Sequence, residues 1–191
     1  KCDKKLLNLY PIADAHIGMV AWKAEGGTDW NMEIQEKVIS DCFRRMVARS
    51  DDAEKCVIGQ LGDFLHFCGL DAVTPGHGFN LDASSNYYDL VRVATRIHRD
   101  LISEALQKHK YVHVITCEGN HDKNATPWIQ NALKIAYEKE PRVTIDDTQS
   151  PYYSTTHGQT FLGFHHGHIA KPSSLPGIFS AECPEWGQTE Y

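Results

Sequence analysis

The sequence predicts an α/β protein in which the first half of the chain forms a largely parallel sheet. Apolar runs of strand length alternate with longer segments of helical periodicity as far as residue 139, and strand-like runs then follow one another directly. Parallel neighbours need crossover helices, whereas consecutive strands pair antiparallel through short turns. With 191 residues and no visible boundary, the chain is expected to form a single domain over 1–191.

The first half is predicted to contain three strands and two helices. The strands occupy 6–14, 55–62 and 111–116, and each is a short apolar run that ends in polar residues. Helices are predicted over about 31–50 and about 87–109, because apolar residues recur there at helical spacing. In the first of these helices, the residues expected on the buried face are Ile34, Val38, Cys42 and Met46.

A long loop separates the second strand from the second helix. Residues 64–86 show no period and contain Gly69, Pro75, Gly76 and Gly78. A loop of this length inside a compact domain is usually functional or mobile.

The second half is predicted to contain one more helix and three strands. The helix covers 127–139, with a proline in its first turn. The strands cover 142–146, 151–156 and 160–168, and the last two are expected to form a hairpin through "HGQ". Across the whole chain, four histidines are expected on helix, strand or turn surfaces, namely His98, His109, His113 and His157.

The composition is that of an ordinary globular protein. Hydrophobic residues make up 41% of the chain and charged residues 23%, and no apolar run approaches the roughly 20 residues that span a membrane. None of the six cysteines is spaced as C-x-x-C, and Cys56 and Cys117 lie in apolar runs, so buried thiols and a cytoplasmic location are expected. The net charge of −6 argues against a protein that coats nucleic acid, but bound metal ions would allow a nuclease.

Metal-binding side chains follow the predicted strands. Asp14 and His16 come after the first strand, Asp63 after the second, and Asn120 and His121 after the third, while "HHGH" (165–168) ends a later strand. The carboxyl ends of parallel strands meet at one edge of a sheet, where ligands bind in open α/β folds. The sequence therefore predicts that these side chains are gathered into one site.

The ligand types favour transition-metal chemistry. Imidazole together with carboxylate and amide oxygen suits Mn, Zn, Fe or Ni better than Ca or Cu(I). Two ions about 3.5–4 Å apart would need a bridging carboxylate. Asp63 follows the middle of the three strands and is the natural bridge. Such a pair of ions activates water for attack on phosphorus, and no "G-x-S-x-G" or P-loop motif indicates a rival mechanism.

The ordered motifs resemble those of the calcineurin-like metallophosphoesterases. "DAH" (14–16), "GD" (62–63), "GNHD" (119–122) and "HHGH" follow one another in the order and spacing of that family. The resemblance covers about 14–168 and implies a four-layer α-β-β-α sandwich of two mixed sheets flanked by helices. It also implies two divalent ions as cofactors, with Mn²⁺ favoured and Zn²⁺, Fe²⁺, Ni²⁺ or Mg²⁺ as alternatives.

By this resemblance, five residues are metal ligands. Asp14 and His16 bind the first ion, Asp63 bridges both ions, and Asn120 and His166 bind the second. His168 is a further candidate ligand.

The resemblance also implies catalytic residues that are not metal ligands. His121 would reach the scissile phosphate or protonate the leaving group, and Asp122 would orient His121. His77 is expected to lie outside the site.

The residues after Asp63 favour a phosphodiester substrate. Protein phosphatases of the superfamily carry an Arg in "GDxxDRG" that grips a monoester, and purple acid phosphatases carry a Tyr nearby; "GDFLHF" has neither. "GDFLH" is similar to the "GDLFH" of SbcD-like double-strand-break repair nucleases, in which this His acts beside the "GNH" His. His66 and His121 match that pair, although His66 could instead form a hydrogen bond that orients a metal ligand.

We therefore expect metal-dependent hydrolysis of DNA, as an exonuclease or endonuclease. The whole chain also resembles phage-encoded members of the superfamily, which would act in the cytoplasm of the host cell. An enzyme on small nucleotides, phosphodiesterase or phosphatase, is the alternative, and the acidic charge balance favours it. A degenerate member that only binds is a second alternative, and the four intact motifs argue against it.

One family motif is missing from the sequence. The family pattern includes a later "G-H-x-H" that adds one histidine to each metal, and no histidine follows His168. The resemblance therefore leads us to expect that the native protein continues beyond Tyr191 and supplies both histidines. Otherwise a histidine such as His165, His168 or His77 must serve as a ligand.

Overall fold

The computed structural model describes residues 3–189 and contains a parallel sheet, a hairpin and flanking helices. The strands are β1 (Asp3–Ile12), β2 (Ala53–Gln60), β3 (Tyr111–Thr116), β4 (Val143–Ile145), β5 (Tyr153–His157) and β6 (Thr160–Phe164). The α-helices are α1 (Lys23–Gly26), α2 (Met32–Arg49), α3 (Tyr87–Lys108), α4 (Thr126–Ala136) and α5 (Leu175–Glu182). Two short 3₁₀ helices cover Pro172–Ser174 and Pro184–Gln188.

The first four strands form a parallel sheet in the order β1-β2-β3-β4. Helices lie in each crossover of this sheet, which is why its strands run parallel. Strands β5 and β6 pair antiparallel through the turn at Gly158, so the predicted hairpin is confirmed. Within residues 3–189, one sheet is therefore wholly parallel and the other wholly antiparallel. The resemblance had implied two mixed sheets, and this part of the prediction was wrong.

The elements stack in four layers because side chains alternate between the two faces of each strand. Cys56 and Ile58 of β2 pack with α2, α3 and α4 in the larger core. Val57 of β2 faces the other way and joins Tyr153 and Phe164 of the hairpin in a smaller core. The outer face of the hairpin packs on α5 through Phe161 and Phe179, whose ring centroids are 5.5 Å apart. The predicted α/β class and layer order are confirmed.

Helix α2 buries a different face from the one the sequence suggested. Its buried residues are Gln35, Phe43 and Val47, while Val38 is 40% exposed. The predicted buried face was wrong by one position, because two adjacent rows of apolar residues run along this helix. The row that contains the bulky Phe43 is the one that faces the core. Tyr10 of β1 packs edge-on against Phe43, with ring centroids 5.2 Å apart.

Other features were missed or misplaced by the sequence patterns. Helices α1 and α5 were not predicted, and strand β6 ends at Phe164 rather than at residue 168. His98 and His109 are buried, not on the surface as expected, and each donates a hydrogen bond from Nδ1 to a backbone carbonyl oxygen of the interior. Cys56 and Cys117 are buried free thiols, as predicted. No helix in the described part of the chain combines the length and apolar character that a membrane span requires.

The loop predicted over 64–86 contains no helix or regular strand. It is held by isolated bridges, Met19 to Ala83 and Val73 to Asn80, and its partly buried Ala72 and Leu81 pack against the larger core. It is therefore anchored at intervals to the body of the domain, beside the loop that follows β1.

Candidate metal centre

Three loops at the carboxyl end of the parallel sheet carry the predicted ligands. Asp14 and His16 follow β1, Asp63 follows β2, and Asn120 and His121 follow β3. Since β2 lies between β1 and β3, Asp63 is in the middle of the group, as predicted.

Asp63 is the point on which the other side chains converge. Its Oδ2 atom lies 3.8 Å from His16 Nε2 and 3.4 Å from His166 Nε2, while its Oδ1 accepts a hydrogen bond of 2.8 Å from the backbone N–H of His121. The ligand atoms of Asp14, His16 and Asp63 all lie within 4.8 Å of one another. Asp63 is only 3% exposed, so its carboxylate is held in a mostly dry environment.

His166 has the hydrogen-bond pattern of a metal ligand. Its Nδ1 lies 2.9 Å from the carbonyl oxygen of Leu61, which can only accept, so Nδ1 carries the hydrogen. In the neutral ring Nε2 is then a lone pair, and it lies 3.1 Å from Asn120 Oδ1 and 3.4 Å from Asp63 Oδ2. With the neutral ring, Nε2 and the two oxygens are three acceptor atoms that face one another, and a bound cation would satisfy all three. The donor set therefore fits the divalent ion that the resemblance implies.

The backbone is strained at the three candidate ligands in the loops after β1 and β2. Asp14, His16 and Asp63 have positive φ angles of 50°, 45° and 50°, and they are the only non-glycine residues in the described range that do. This left-handed region disfavours residues with a Cβ atom, and such strain tends to be stored at functional sites. The turns are fixed by backbone hydrogen bonds, from His16 N–H to Asp63 O at 2.9 Å and from Asp14 N–H to Gly62 O at 3.3 Å.

Two glycines of the motifs are needed because side chains pack directly on them. A Cβ atom on Gly119 would lie 2.0 Å from Asp63 Oδ1 and 2.3 Å from the Asp63 backbone nitrogen. A Cβ atom on Gly62 would lie 2.6 Å from the His166 ring, and Gly62 also has a φ of 98°. The glycines of "GD" and "GNHD" thus allow the second and third loops to close on the ligands.

A cluster of three imidazoles lies on the first-strand side of the site. His16 Nδ1 is 3.3 Å from His66 Nδ1, and the rings of His16 and His121 meet edge-on with centroids 4.7 Å apart. His121 Nδ1 donates to the carbonyl oxygen of His66 at 2.7 Å, which leaves His121 Nε2 as the atom able to accept or release a proton. His66 therefore contacts both a candidate ligand and the candidate proton donor.

Burial keeps His16 and His66 in the form that binds metals. The pKa of His66 is lowered to about 4, chiefly by removal from water and also by the neighbouring rings of His16 and His121. Burial also lowers the pKa of His16, against the opposing charge of Asp63. Both rings are neutral at pH 7, as metal coordination through imidazole requires.

Asp122 has a different role from the one expected. It was predicted to orient His121, but the ring nitrogen of His121 bonds to His66 instead. The Asp122 carboxylate accepts from the backbone N–H groups of Phe64 (2.6 Å), Leu65 (3.3 Å) and Gly119 (2.8 Å). Because these donors come from both loops, Asp122 ties the loop after β2 to the loop after β3. Burial raises the pKa of this carboxyl, and the backbone donors oppose the shift.

Gln35 contributes to the site and was missed by the sequence patterns. It lies on α2, is fully buried, accepts from Gly18 N–H at 2.9 Å and donates to His16 O at 3.0 Å. It thereby holds the strained loop after β1. The signal that could have identified Gln35 is its position on the same face of α2 as Phe43, where a polar residue is unusual. It was missed because the buried face of this helix had been predicted one position away.

The remaining histidines of the sequence prediction lie around the site or away from it. His168 lies beside His166, with ring centroids 5.2 Å apart, and its Nδ1 is buried without a hydrogen-bond partner among residues 3–189. His165 instead lies 3.1 Å from the carbonyl oxygen of Pro151 through Nδ1 and packs on Tyr152. His77 is exposed and packs on Phe79, outside the ligand groups.

Comparison of the chain with protein-family models, with curated proteins and with solved structures finds no match.

Proposed function

We propose that this protein is a metal-dependent phosphodiesterase that acts on DNA. The observation that carries the proposal is that Asp14, His16 and His166 lie around the buried Asp63, with Asn120 against His166. Together with Asp63 itself, these side chains come from four separate loops. Solubility does not require acceptor atoms to face one another at such distances, whereas cation binding does.

The residues divide naturally into two ligand groups that share Asp63. Asp14, His16 and Asp63 would hold one divalent ion, and Asp63, Asn120 and His166 would hold the other. Two such ions supply Lewis acidity at the phosphate and an activated water as the nucleophile. Imidazole, carboxylate and amide ligands suit Mn²⁺, and the resemblance points to the same metal.

His121 is proposed as the residue that handles the proton of the leaving group. Its Nδ1 is fixed by the carbonyl of His66, so its Nε2 is held in a defined direction rather than rotating freely. General acid catalysis by a residue placed in this way contributes about 10²–10⁴-fold to the rate.

His66 is proposed to position its neighbours. It orients His16 through the contact between Nδ1 atoms and orients His121 through its carbonyl oxygen. It was expected to act directly on the diester, as in the SbcD-like nucleases. Its low exposure of 8% and its two contacts favour the alternative that the sequence had left open, in which it supports a ligand.

A small-nucleotide phosphodiesterase is the second candidate. The net charge of −6 favours it, because a long anionic strand would meet repulsion that a small nucleotide would escape. "GDFLHF" lacks the Arg that grips a dianionic monoester in the protein phosphatases of the superfamily, so a diester is preferred in either case.

A substrate panel tests the proposal. Hydrolysis of bis(p-nitrophenyl) phosphate, p-nitrophenyl phosphate, cyclic nucleotides, single-stranded DNA and double-stranded DNA would be measured with Mn²⁺ and with EDTA. We expect Mn²⁺-dependent hydrolysis of the diesters and of DNA, with the monoester cleaved more slowly. Preference for the monoester by a wide margin would contradict the diesterase assignment, and cleavage of cyclic nucleotides alone would favour the second candidate.

A further inference from the structure

A separate cavity of about 580 Å³ opens at the amino end of the parallel sheet. Its lining includes Lys4, Lys55, Lys110, Tyr111, His113 and His157. We call it the amino-end cleft. Lys55 is eight residues before Asp63 along β2 and the loop that follows it, so the cleft lies up to about 25 Å from the candidate metal centre.

The cleft forms because the hairpin covers only part of one face of the parallel sheet. Leu7, Lys55 and Tyr111 are register partners across β1, β2 and β3, so their side chains form a row on that face. At the end of β5, His157 Nε2 contacts Lys5 O at 2.9 Å and closes the cleft on the β1 side. Thr155 and Thr156 add hydroxyl groups from the hairpin.

The charge of the cleft is opposite to that of the whole chain. Lys4, Lys55 and Lys110 with one acidic residue, Glu54, give the lining a formal charge of +2, whereas the chain carries −6. Lys110 pairs with Glu54 at 3.7 Å, but Lys4 and Lys55 have no ion-pair partner within residues 3–189. Two lysines that face a cavity without a counter-ion attract an anion.

The cleft also offers an aromatic surface beside the positive charge. Tyr111 is 37% exposed, and Lys110 Nζ lies 4.8 Å from the centre of its ring. His113 is held in place by Asp146, with Nε2 and Oδ2 3.6 Å apart. Phosphate oxygens find ammonium and hydroxyl donors here, and a planar base finds ring surface within the same cavity.

We propose that the amino-end cleft binds a nucleoside phosphate, with the phosphate on Lys4 and Lys55 and the base against Tyr111. The volume lies in the range of about 300–1,000 Å³ that small-molecule sites occupy. The phosphate comes either from a free mononucleotide or from the end of an oligonucleotide, and both present the same chemistry. The proposal does not depend on the activity of the metal centre.

Calorimetric titration of the full chain at low ionic strength tests the proposal with four probes: AMP, adenosine, inorganic phosphate and a short 5′-phosphorylated oligonucleotide. The titrations use an Asp63→Asn background with EDTA present, so that hydrolysis at the candidate metal centre does not consume the probe. We expect AMP to bind more tightly than adenosine or phosphate, and we expect its affinity to fall as salt is added. Tighter binding of the oligonucleotide than of AMP would identify nucleic acid as the source of the phosphate.

Variants of the cleft locate the binding. Lys55→Met together with Lys4→Met should weaken AMP binding by roughly tenfold or more, since two charge-assisted contacts are lost. Lys37→Met together with Lys23→Met, two exposed lysines on α2 and α1, removes the same charge elsewhere and should leave the affinity within about twofold. Absence of AMP binding, or equal losses in the cleft and control variants, would overturn the proposal. Equal affinity for AMP and inorganic phosphate would overturn the role of Tyr111.

Discussion

The two ends of the parallel sheet are built on different principles. At the carboxyl end, Asp14, His16 and Asp63 adopt positive φ angles, and the Asp63 carboxylate lies against Gly119 with no room for a Cβ atom. At the amino end, Leu7, Lys55 and Tyr111 are register partners, the register of β1 shifts between Asp3 and Leu7, and Lys55 is exposed. The carboxyl end is specified by close contacts, whereas the amino end depends on charge in an open cavity.

This difference decides how much each end tolerates change. A crowded site whose ligands are arranged around one buried carboxylate loses its function when one atom moves by about an ångström. An open cleft of solvated lysines loses affinity by small steps, because each exposed charge contributes about 1 kcal/mol or less. Substitutions at the carboxyl end should therefore have all-or-none effects on function, and those at the amino end graded effects.

The largest effect is expected for Asp63→Asn. The substitution removes the one negative charge that both ligand groups share, and the remaining carboxylate, Asp14, serves only one group. We expect loss of measurable hydrolysis and a lower metal content after dialysis, measured by elemental analysis. Asp71→Asn, an exposed carboxylate in the loop after β2, is the matched control and should retain both. Full metal content in the Asp63 variant would show that the two groups do not depend on this bridge.

A slightly smaller effect is expected for Gly119→Ala. The added methyl group would meet Asp63 Oδ1 and the Asp63 backbone at 2.0 and 2.3 Å, so the loop after β3 must move away. We expect a loss of stability of about 1–3 kcal/mol, as overpacking usually produces, together with a severe loss of metal binding. Gly76→Ala is the control, because a Cβ atom there meets nothing within 4 Å. Chemical unfolding and metal titration measure both effects, and a Gly119 variant that binds metal like wild type would contradict the crowded-site description.

The histidine cluster separates catalysis from positioning. We expect His121→Ala to lower turnover by about 10²–10⁴-fold while metal content stays near that of wild type. His66→Ala should lower turnover and also weaken metal binding, because His66 contacts the ligand His16. His66→Gln keeps a hydrogen-bonding side chain and should recover part of the metal affinity. If His121→Ala releases the metals, its assignment as a proton donor is wrong, and if His66→Ala lowers turnover alone, His66 acts on the substrate.

The sequence allowed the strands, the three longer helices and the gathering of the ligands to be predicted, because strand ends with acidic and imidazole side chains are a local pattern. The contacts that hold the site could not be read in the same way. Gln35 reaches the His16 loop from α2, and Asp122 bonds the backbone of Phe64 rather than a side chain. Both depend on which face of an element turns inward, and that is decided by tertiary packing. The burial of His98 was not predicted for the same reason. A histidine on an apolar helix face fits the sequence pattern equally well in the buried centre of that face or at its solvent-exposed border.

The smallest effect concerns His98, which extends the comparison to the interior between the two ends of the sheet. His98 is completely buried on α3, with Nδ1 2.8 Å from the Ala94 carbonyl oxygen and its ring 4.4 Å from that of Phe64. Burial lowers its pKa from 6.5 to about 4, so between these values the unfolded chain binds a proton that the folded chain does not. The free energy of unfolding should therefore fall as the pH drops below about 6.5, by about 2 kcal/mol between pH 7 and pH 5 from this residue.

The variant His98→Leu tests this prediction, because it removes the titrating group from a site that is otherwise apolar. Its free energy of unfolding, measured with urea, should decline less between pH 7 and pH 5 than that of wild type. Equal slopes for wild type and His98→Leu would mean that the buried ring is not neutral in the folded protein.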